Sequence, residues 1–564
     1  MKKTLYTLLA VVISLVAVSC NEFLKETPKG QLTDNLAFTE PGDLESALGV
    51  LRYKVTRSAF GTTQFEHAYM GDDLATHPKS NKAAMREWDS FEISTSNERL
   101  LWHWQDKWLV IRAANFIIGG AENAPNSADE IAKAINTAKF WRAWAYFDLV
   151  RTYGALPLIT DLNVDYGMGL SSIAVIYDQI VADLKDACNL PKENHSGLIP
   201  YVAGNINNDP NSGAAHALLA CVYLNMAGWP LQKGAEYYNL CKQECEAVIN
   251  GGYYYELYKD YRDIHSAKEN FKNKEAIVNI YFSKDTGEGD SSLMCRGGIM
   301  DFPDCSDAWC DCRGELKFWK DFPDGYRKTV VYPKTCVRNV AIVDFWDDQV
   351  PVDNRFPYFG EKGWRSESND PNNPVEYDFN DLSGFSQSGG WDIQAHMVIR
   401  LSEVYCWYAE CCARAGDTAT AIKYLNLVRN RAEGVDIGYP GAKKDFYTGK
   451  SKEQLIEGAY NEHRYEIGGW WSGAIQSCAD DLIRLKRAEA HFNYRKNPTP
   501  INCGGKSLIE PYGPVGTWND CQMFAHYPAE EQELNPNMAI PLEKKTTDEF
   551  INGTEVIYAT ETEK

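Results

Sequence analysis

The stretch Arg400–Ala432, RLSEVYCWYAECCARAGDTATAIKYLNLVRNRA, constrains this chain more than any other. Small or apolar side chains recur at Leu401, Val404, Tyr405, Tyr408, Ala409 and Cys412. That i, i+3, i+4, i+7, i+8, i+11 series lies along one face of an α-helix. Gly416 suits the left-handed position just past a helix end, and Asp417 is placed to cap the next helix. The second helix carries Ala421, Leu425, Val428 and Ala432 at similar spacing. Two helices with small residues where they cross, joined by a Gly-Asp turn, form a hairpin of the tetratricopeptide kind. One such hairpin cannot bury its own apolar face, so further hairpins are required.

They are present. Lys139–Arg151 is apolar over more than half its circumference and runs out at Tyr153-Gly154, with Pro157 beyond. Ser212–Gly228 sets Ala214, Ala217, Leu218, Cys221 and Leu224 on one face. Lys233–Ile249 pairs with it through Tyr238, Cys241, Cys245 and Val248, and Lys107–Ile118 offers Trp108, Ile111, Asn115 and Ile118. A further helical segment starts within Asp34–Tyr53, and Glu453–Ala488 reads as a helical pair broken at Gly468-Gly469-Trp470-Trp471. The expected fold is mainly α: a tetratricopeptide-like scaffold over 34–252 and 396–490 with long irregular loop insertions. Over 253–395 helical periodicity nearly vanishes apart from short β-like runs such as Ala276–Phe282. Irregular insertions of that length are usually functional.

The N-terminus bears on compartment. Lys2-Lys3 precedes an apolar run, Leu5–Val18, that is too short for a comfortable membrane span and ends in Ala17-Val18-Ser19-Cys20. This resembles a bacterial lipobox, although Leu is more usual where Ala17 stands. Residues 1–19 are therefore expected to be a signal peptide, and Cys20 the lipidated first residue of a single mature unit, 20–564. Anchoring would then be through lipid alone. A formal net charge of −21 argues against nucleic acid, which demands clustered Lys and Arg. It equally disfavours an anionic membrane surface as the main ligand.

Of the 16 cysteines, none stands in a Cys-x-x-Cys pair, so the strongest zinc and redox signatures are missing. Cys221, Cys241, Cys245, Cys406 and Cys412 fall in helical segments, where a free thiol behaves as a small hydrophobe. The cluster Cys295, Cys305, Cys310, Cys312 and Cys336 reads as free thiols or one disulfide in preference to a metal site. Glu462, His463 and Glu466 share a helix face that could ligate a metal, but such trios more often pair with arginine. Asp370–Asp381 lacks the spacing of an EF-hand, and a solvated loop is the plainer reading. With 78 acidic residues, carboxylate pairs for glycoside hydrolysis carry no weight, and no Gly-x-Ser-x-Gly, His-Glu-x-x-His or phosphate-binding loop occurs. No enzymatic activity, cofactor or metal is expected.

Five segments together resemble the SusD/RagB family of outer-membrane nutrient-binding lipoproteins: Cys20–Leu24 with Pro28, Ala138–Pro157, Ile399–Ala432, Asn461–Arg484 and Asn537–Glu543. His463 stands where the family usually has Arg, and Gly469-Trp470-Trp471 departs from its Gly-x-R-W-x-D run. The resemblance implies four tetratricopeptide-like units and a position on the outer membrane, facing the cell exterior. It also implies capture of a glycan for a partner TonB-dependent transporter. Two alternatives stay open: a peptide- or glycopeptide-binding member of the same system, and an interaction scaffold with no small ligand.

Glycan binding asks for aromatic rings against the C–H faces of a pyranose and polar side chains for its hydroxyls. The chain has 16 Trp and 32 Tyr, many in segments without periodicity. Ser58–Leu101 and Tyr253–Ala395 mix them with Asp, Asn and Arg. The expected ligand-binding residues are Asp73 and Trp88 from the first and Trp309, Trp319 and Trp364 from the second. The competing reading is that each Trp plugs a small local core.

Overall fold

A computed structural model describes residues 38–59, 67–78, 80–162, 165, 167–192, 209–265, 269, 273–281, 312–332, 335–338, 341–344, 395–469, 474–538 and 551. Helices dominate, as the sequence predicts. In chain order they begin with α1 Asp43–Ser58, then β1 Leu74–Thr76, α2 Ala83–Asp89, α3 Glu98–Gly120, α4 Ala128–Tyr153, α5 Ile173–Ala187, α6 Ser212–Ala227 and α7 Ala235–Asn250. β2 Ala276–Ile280, β3 Cys312–Gly314, α8 Leu316–Asp321, α9 Tyr326–Val331, β4 Thr335–Arg338 and β5 Ala341–Asp344 follow. β6 His396–Arg400 leads directly into α10 Leu401–Arg414, then α11 Thr418–Glu433, α12 Lys452–Ile467, α13 Cys478–Arg484, α14 Ala488–Lys496, β7 Ile501–Cys503, β8 Lys506–Leu508 and α15 Ala529–Leu534.

Neighbouring helices stack in chain order: α3 on α4, α4 on α5, α5 on α6, α6 on α7, and α7 on α10, which holds α11 and α12. The α10–α11 turn is built as its residues predict. Gly416 adopts φ +88, the Asp417 N–H reaches the Cys412 carbonyl at 2.9 Å, and the Asp417 carboxylate accepts from the Thr420 N–H at 3.1 Å. Elsewhere Ser127, Ser172, Asn211 and Ser451 cap α4, α5, α6 and α12. Each side-chain oxygen accepts one of the N–H groups that a helix start leaves unpaired. On α4 the whole run Phe140 through Phe147 is buried, Trp141 and Trp144 among them.

The first helix starts at Asp43, inside the expected span Asp34–Tyr53 and directly after Pro41-Gly42. Two expectations need correction. The span 58–101 is not uniformly irregular; it holds β1, α2 and the start of α3. The span 253–395 carries β2 in the expected β-like run Ala276–Phe282, but its described residues also hold two six-residue helices and further strands, elements too short to leave a periodic signature. Its ends are tied together, since β2 pairs antiparallel with β6, Ala276 opposite Arg400 and Ile280 opposite His396. Both strands are wholly buried.

A buried ionic network locks this insertion onto α10, α11 and α12. Arg431 meets Glu275 and Glu466 at 2.5 Å each. Arg327 on α9 meets Glu466 at 2.6 Å and Glu462 at 2.9 Å. Arg400 lies 3.5 Å from both Glu275 and Glu466. Glu462 and Glu466 are thus consumed by arginines. His463 bonds Asp481 at 2.6 Å, and Arg484 joins Asp481 to Glu410 at 2.7 and 2.8 Å. Burial works against a charged imidazole, but the carboxylate of Asp481 outweighs it and raises the His463 pKa to about 9.

Candidate ligand-binding face

β1 and β3 form a two-stranded antiparallel sheet, Leu74 opposite Gly314 and Thr76 opposite Cys312. This sheet brings the two candidate segments together. The Glu315 N–H donates to the Asp73 carbonyl at 3.0 Å, and Glu315 then caps α8 through the Phe318 N–H at 2.6 Å. α8 is the helix that carries Trp319.

Sheets this narrow leave backbone groups without ladder partners, and buried carboxylates supply them. Asp89 accepts from the Thr76 N–H at 2.9 Å and faces Arg495 at 2.8 Å. Glu510 accepts from the Leu316 N–H at 2.7 Å and from the Arg313 guanidinium at 2.5 Å. The two neighbouring acids diverge in consequence. Burial, reinforced by the Glu510 charge, pushes Glu315 well above the usual carboxylate range. For Glu510, burial opposes ionisation but Arg313 and Arg495 outweigh it and hold its pKa down.

On and next to the elements of this platform stand three pairs of a long cationic and an aromatic side chain. Trp319 is half-buried, with the Lys328 Nζ 5.2 Å from its ring centroid. Lys317 stands 5.9 Å from the Tyr494 ring, and the Arg86 guanidinium lies 4.6 Å over Tyr512. The Tyr512 carbonyl is held by Arg495 at 3.0 Å, and Val515 and Ile509 are exposed beside it in sequence. Ring faces bordered by cationic donors match the requirement of a hydroxyl-rich ligand with apolar C–H faces.

Two predicted ligand residues are displaced from this role. Trp88 is 1 % exposed and packs in the core with Met85, so it cannot stack on a ligand in solvent. Asp73 is 5 % exposed, and its carboxylate accepts from the Gly469 N–H at 3.0 Å. Burial, helped by the neighbouring Asp72, raises its pKa to about 6. Trp319 alone of the described candidates reaches the surface; Trp309, Trp364 and Cys20 lie outside the described residues. Asp72, Asp73 and Cys478 place ligand atoms within 4.8 Å of one another, but Asp72 already pairs with Arg464. The cationic side chains of these pairs are not among the expected ligand residues. Lys317-Phe318-Trp319-Lys320, a Trp between lysines, is the sequence signal that could have found them.

Residues 22–224 match the model of a family described as starch-binding and associating with the outer membrane. Residues 367–506 match the model of the SusD family. A SusD-like protein P2 of Formosa agariphila is 25% identical over 512 residues, 87% of this chain and 92% of the relative. A SusD homolog of Bacteroides thetaiotaomicron has the same fold at 17% identity, with a TM-score of 0.69 over 90% of this chain and 97% of that one. Another crystal structure, solved with a xylogluco-oligosaccharide, superposes at a TM-score of 0.63 and 20% identity, covering 88% and 98% of the two chains.

Proposed function

The chain belongs to the SusD/RagB family, and from that premise we propose that it is a cell-surface glycan-binding lipoprotein. It captures oligosaccharide and hands it to a partner TonB-dependent outer-membrane transporter, working by binding and not by catalysis. It is anchored in the outer membrane through lipid on Cys20; no helix among the described residues is long and apolar enough to cross a membrane. The observation that carries the ligand reading is the set of three cation–ring pairs, Trp319 with Lys328, Tyr494 with Lys317 and Tyr512 with Arg86, on a fold shared with a protein solved with a xylogluco-oligosaccharide. Trp319 supplies the stacking face, and the cations donate to ring hydroxyls. Trp309 and Trp364 are proposed as further stacking residues from the same insertion.

A glycan array probed with the lipid-free fragment Asn21–Lys564, followed by native gels cast with each polysaccharide that scores, tests the reading. Retarded migration on at least one polysaccharide, reduced in Trp319→Ala, is the expected result. A silent array, or unretarded migration on every polysaccharide that scores, would refute glycan capture.

A further inference from the structure

Three consecutive helices of the scaffold converge on a group that glycan capture does not use. Cys188 ends α5, its N–H bonded to the Leu184 carbonyl at 2.9 Å. His216 lies on α6, where every other residue from Ser212 to Ala227 is buried. Glu244 lies on α7. The Cys188 Sγ is 3.5 Å from the His216 Nδ1, and the Glu244 Oε2 is 2.6 Å from that same nitrogen. His216 and Glu244 keep 25% and 21% side-chain exposure, so solvent reaches the group.

One ring nitrogen serves both neighbours poorly. If Nδ1 carries the proton it donates to Glu244 and leaves the sulfur only a weak, shared contact; if it carries the lone pair, the thiol can donate to it but the carboxylate has no donor there. A cation at the point where the three atoms meet satisfies all of them, the ring keeping its proton on Nε2. From these residues we infer that Cys188, His216 and Glu244 bind a divalent transition ion of the zinc type, with water in the fourth position.

Distances support that choice. With bonds of about 2.3 Å to sulfur and about 2.0–2.1 Å to nitrogen at tetrahedral angles, the S···N separation is about 3.5 Å, the value found here. The corresponding N···O separation is about 3.3 Å, so the Glu244 carboxylate withdraws by roughly 0.7 Å, a small move for a partly exposed side chain. All three ligand atoms already lie within 4.8 Å of one another. Thiolate, imidazole and carboxylate together favour a borderline ion over calcium or magnesium, which want oxygen alone. Burial, with Glu244 nearby, pushes the Cys188 thiol up to about 12, which makes it a poor nucleophile unaided. On coordination its proton leaves to solvent and the sulfur binds as thiolate. The ion ties α5, α6 and α7 together and leaves the ligand face untouched.

Cobalt(II) is the probe, because a thiolate ligand gives it a charge-transfer band in the near ultraviolet and tetrahedral coordination gives intense visible bands. Reduced, metal-free Asn21–Lys564 is titrated with Co²⁺. One equivalent is expected to raise both sets of bands, and one equivalent of Zn²⁺ to abolish them. In Cys188→Ser the thiolate band is lost, and in His216→Gln affinity falls at least tenfold, while both metal-free variants melt as the wild type does. A wild-type titration without a thiolate band, or an unchanged band in Cys188→Ser, overturns the site. If the metal-free variants melt lower than wild type, Glu244→Gln, which alters only the carboxylate, takes their place. Unchanged Co²⁺ affinity in that variant likewise overturns it.

Discussion

Glu466 is where the ionic network can be tested most sharply. Its carboxylate meets Arg431 at 2.5 Å, Arg327 at 2.6 Å and Arg400 at 3.5 Å, and it is fully buried. Burial opposes its ionisation, but Arg431, Arg327 and Arg400 together lower its pKa from 4.5 to about 2. At about 1.4 kcal/mol per pKa unit that difference is worth about 3 kcal/mol of folding stability. Because the folded pKa is depressed, this stability is fully present above pH 4.5 and lost as pH falls through about 2. Removing one partner of a buried ion network costs about 3–5 kcal/mol in measured cases, which agrees. Glu466→Gln keeps shape and removes the charge. With an unfolding entropy of roughly 2 cal/mol/K per residue, a cooperative unit of this size loses roughly 1 °C of Tm per kcal/mol. The expected shift is therefore about 3–5 °C at pH 7, measured by calorimetry on the Asn21–Lys564 fragment. As pH falls below 4.5 the gap between wild type and variant should narrow, since a protonated Glu466 resembles Gln. Equal melting at pH 7, or a gap that stays constant down to the acid limit of folding, would show that the arginines do not depend on this carboxylate.

At the α10–α11 turn nothing lies within 4 Å of a Cβ added to Gly416, so Gly416→Val should cost only backbone strain at φ +88, about 1–3 kcal/mol, visible as a lower melting temperature with ligand affinity retained. Trp88→Ala, in the core, should cost about 3–5 kcal/mol of stability, read from chemical denaturation, and a variant as stable as wild type would return Trp88 to the list of ligand residues. Trp319→Ala should do the reverse, lowering glycan affinity roughly tenfold (about 1–3 kcal/mol) with little change in melting, as followed by calorimetric titration with a glycan that scores on the array. Cys20→Ala should move the protein from the membrane fraction to the soluble fraction of cells, and unchanged membrane association would refute lipid anchoring there.

What the sequence made legible is what a single helix can encode. The face of α10, the Gly416 turn and the capped start of α11 all depend on residues within about four positions of one another. The network around Glu466 was legible only by half. Glu462, His463 and Glu466 stand out on one face, and an arginine partner is the expected outcome, but Arg327, Arg400 and Arg431 come from three other elements. β6 hid for a different reason, whereas β2 falls within the β-like run Ala276–Phe282. β6 is buried along its whole length, so it shows no alternation of polar and apolar side chains.

The misplacement of Asp73 and Trp88 has a physical source that also indicates where ligand contacts must come from. An irregular segment pays for its missing helical and ladder hydrogen bonds with short carboxylates close to the main chain. Asp73 serves Gly469, Asp89 serves Thr76 and Glu315 serves Phe318, so acids that look free in the sequence are used up inside. The same segment packs its apolar side chains into the main core, Trp88 among them with Tyr69, Met85 and Phe91. Side chains left for a ligand are then those long enough to extend past this layer. Lys317 does so, and Trp319, Lys328 and Tyr512 keep partial exposure, whereas the Tyr494 hydroxyl and the Arg86 Nε are buried. In such insertions reach, more than polarity, separates a residue that supports the loop from one that meets solvent.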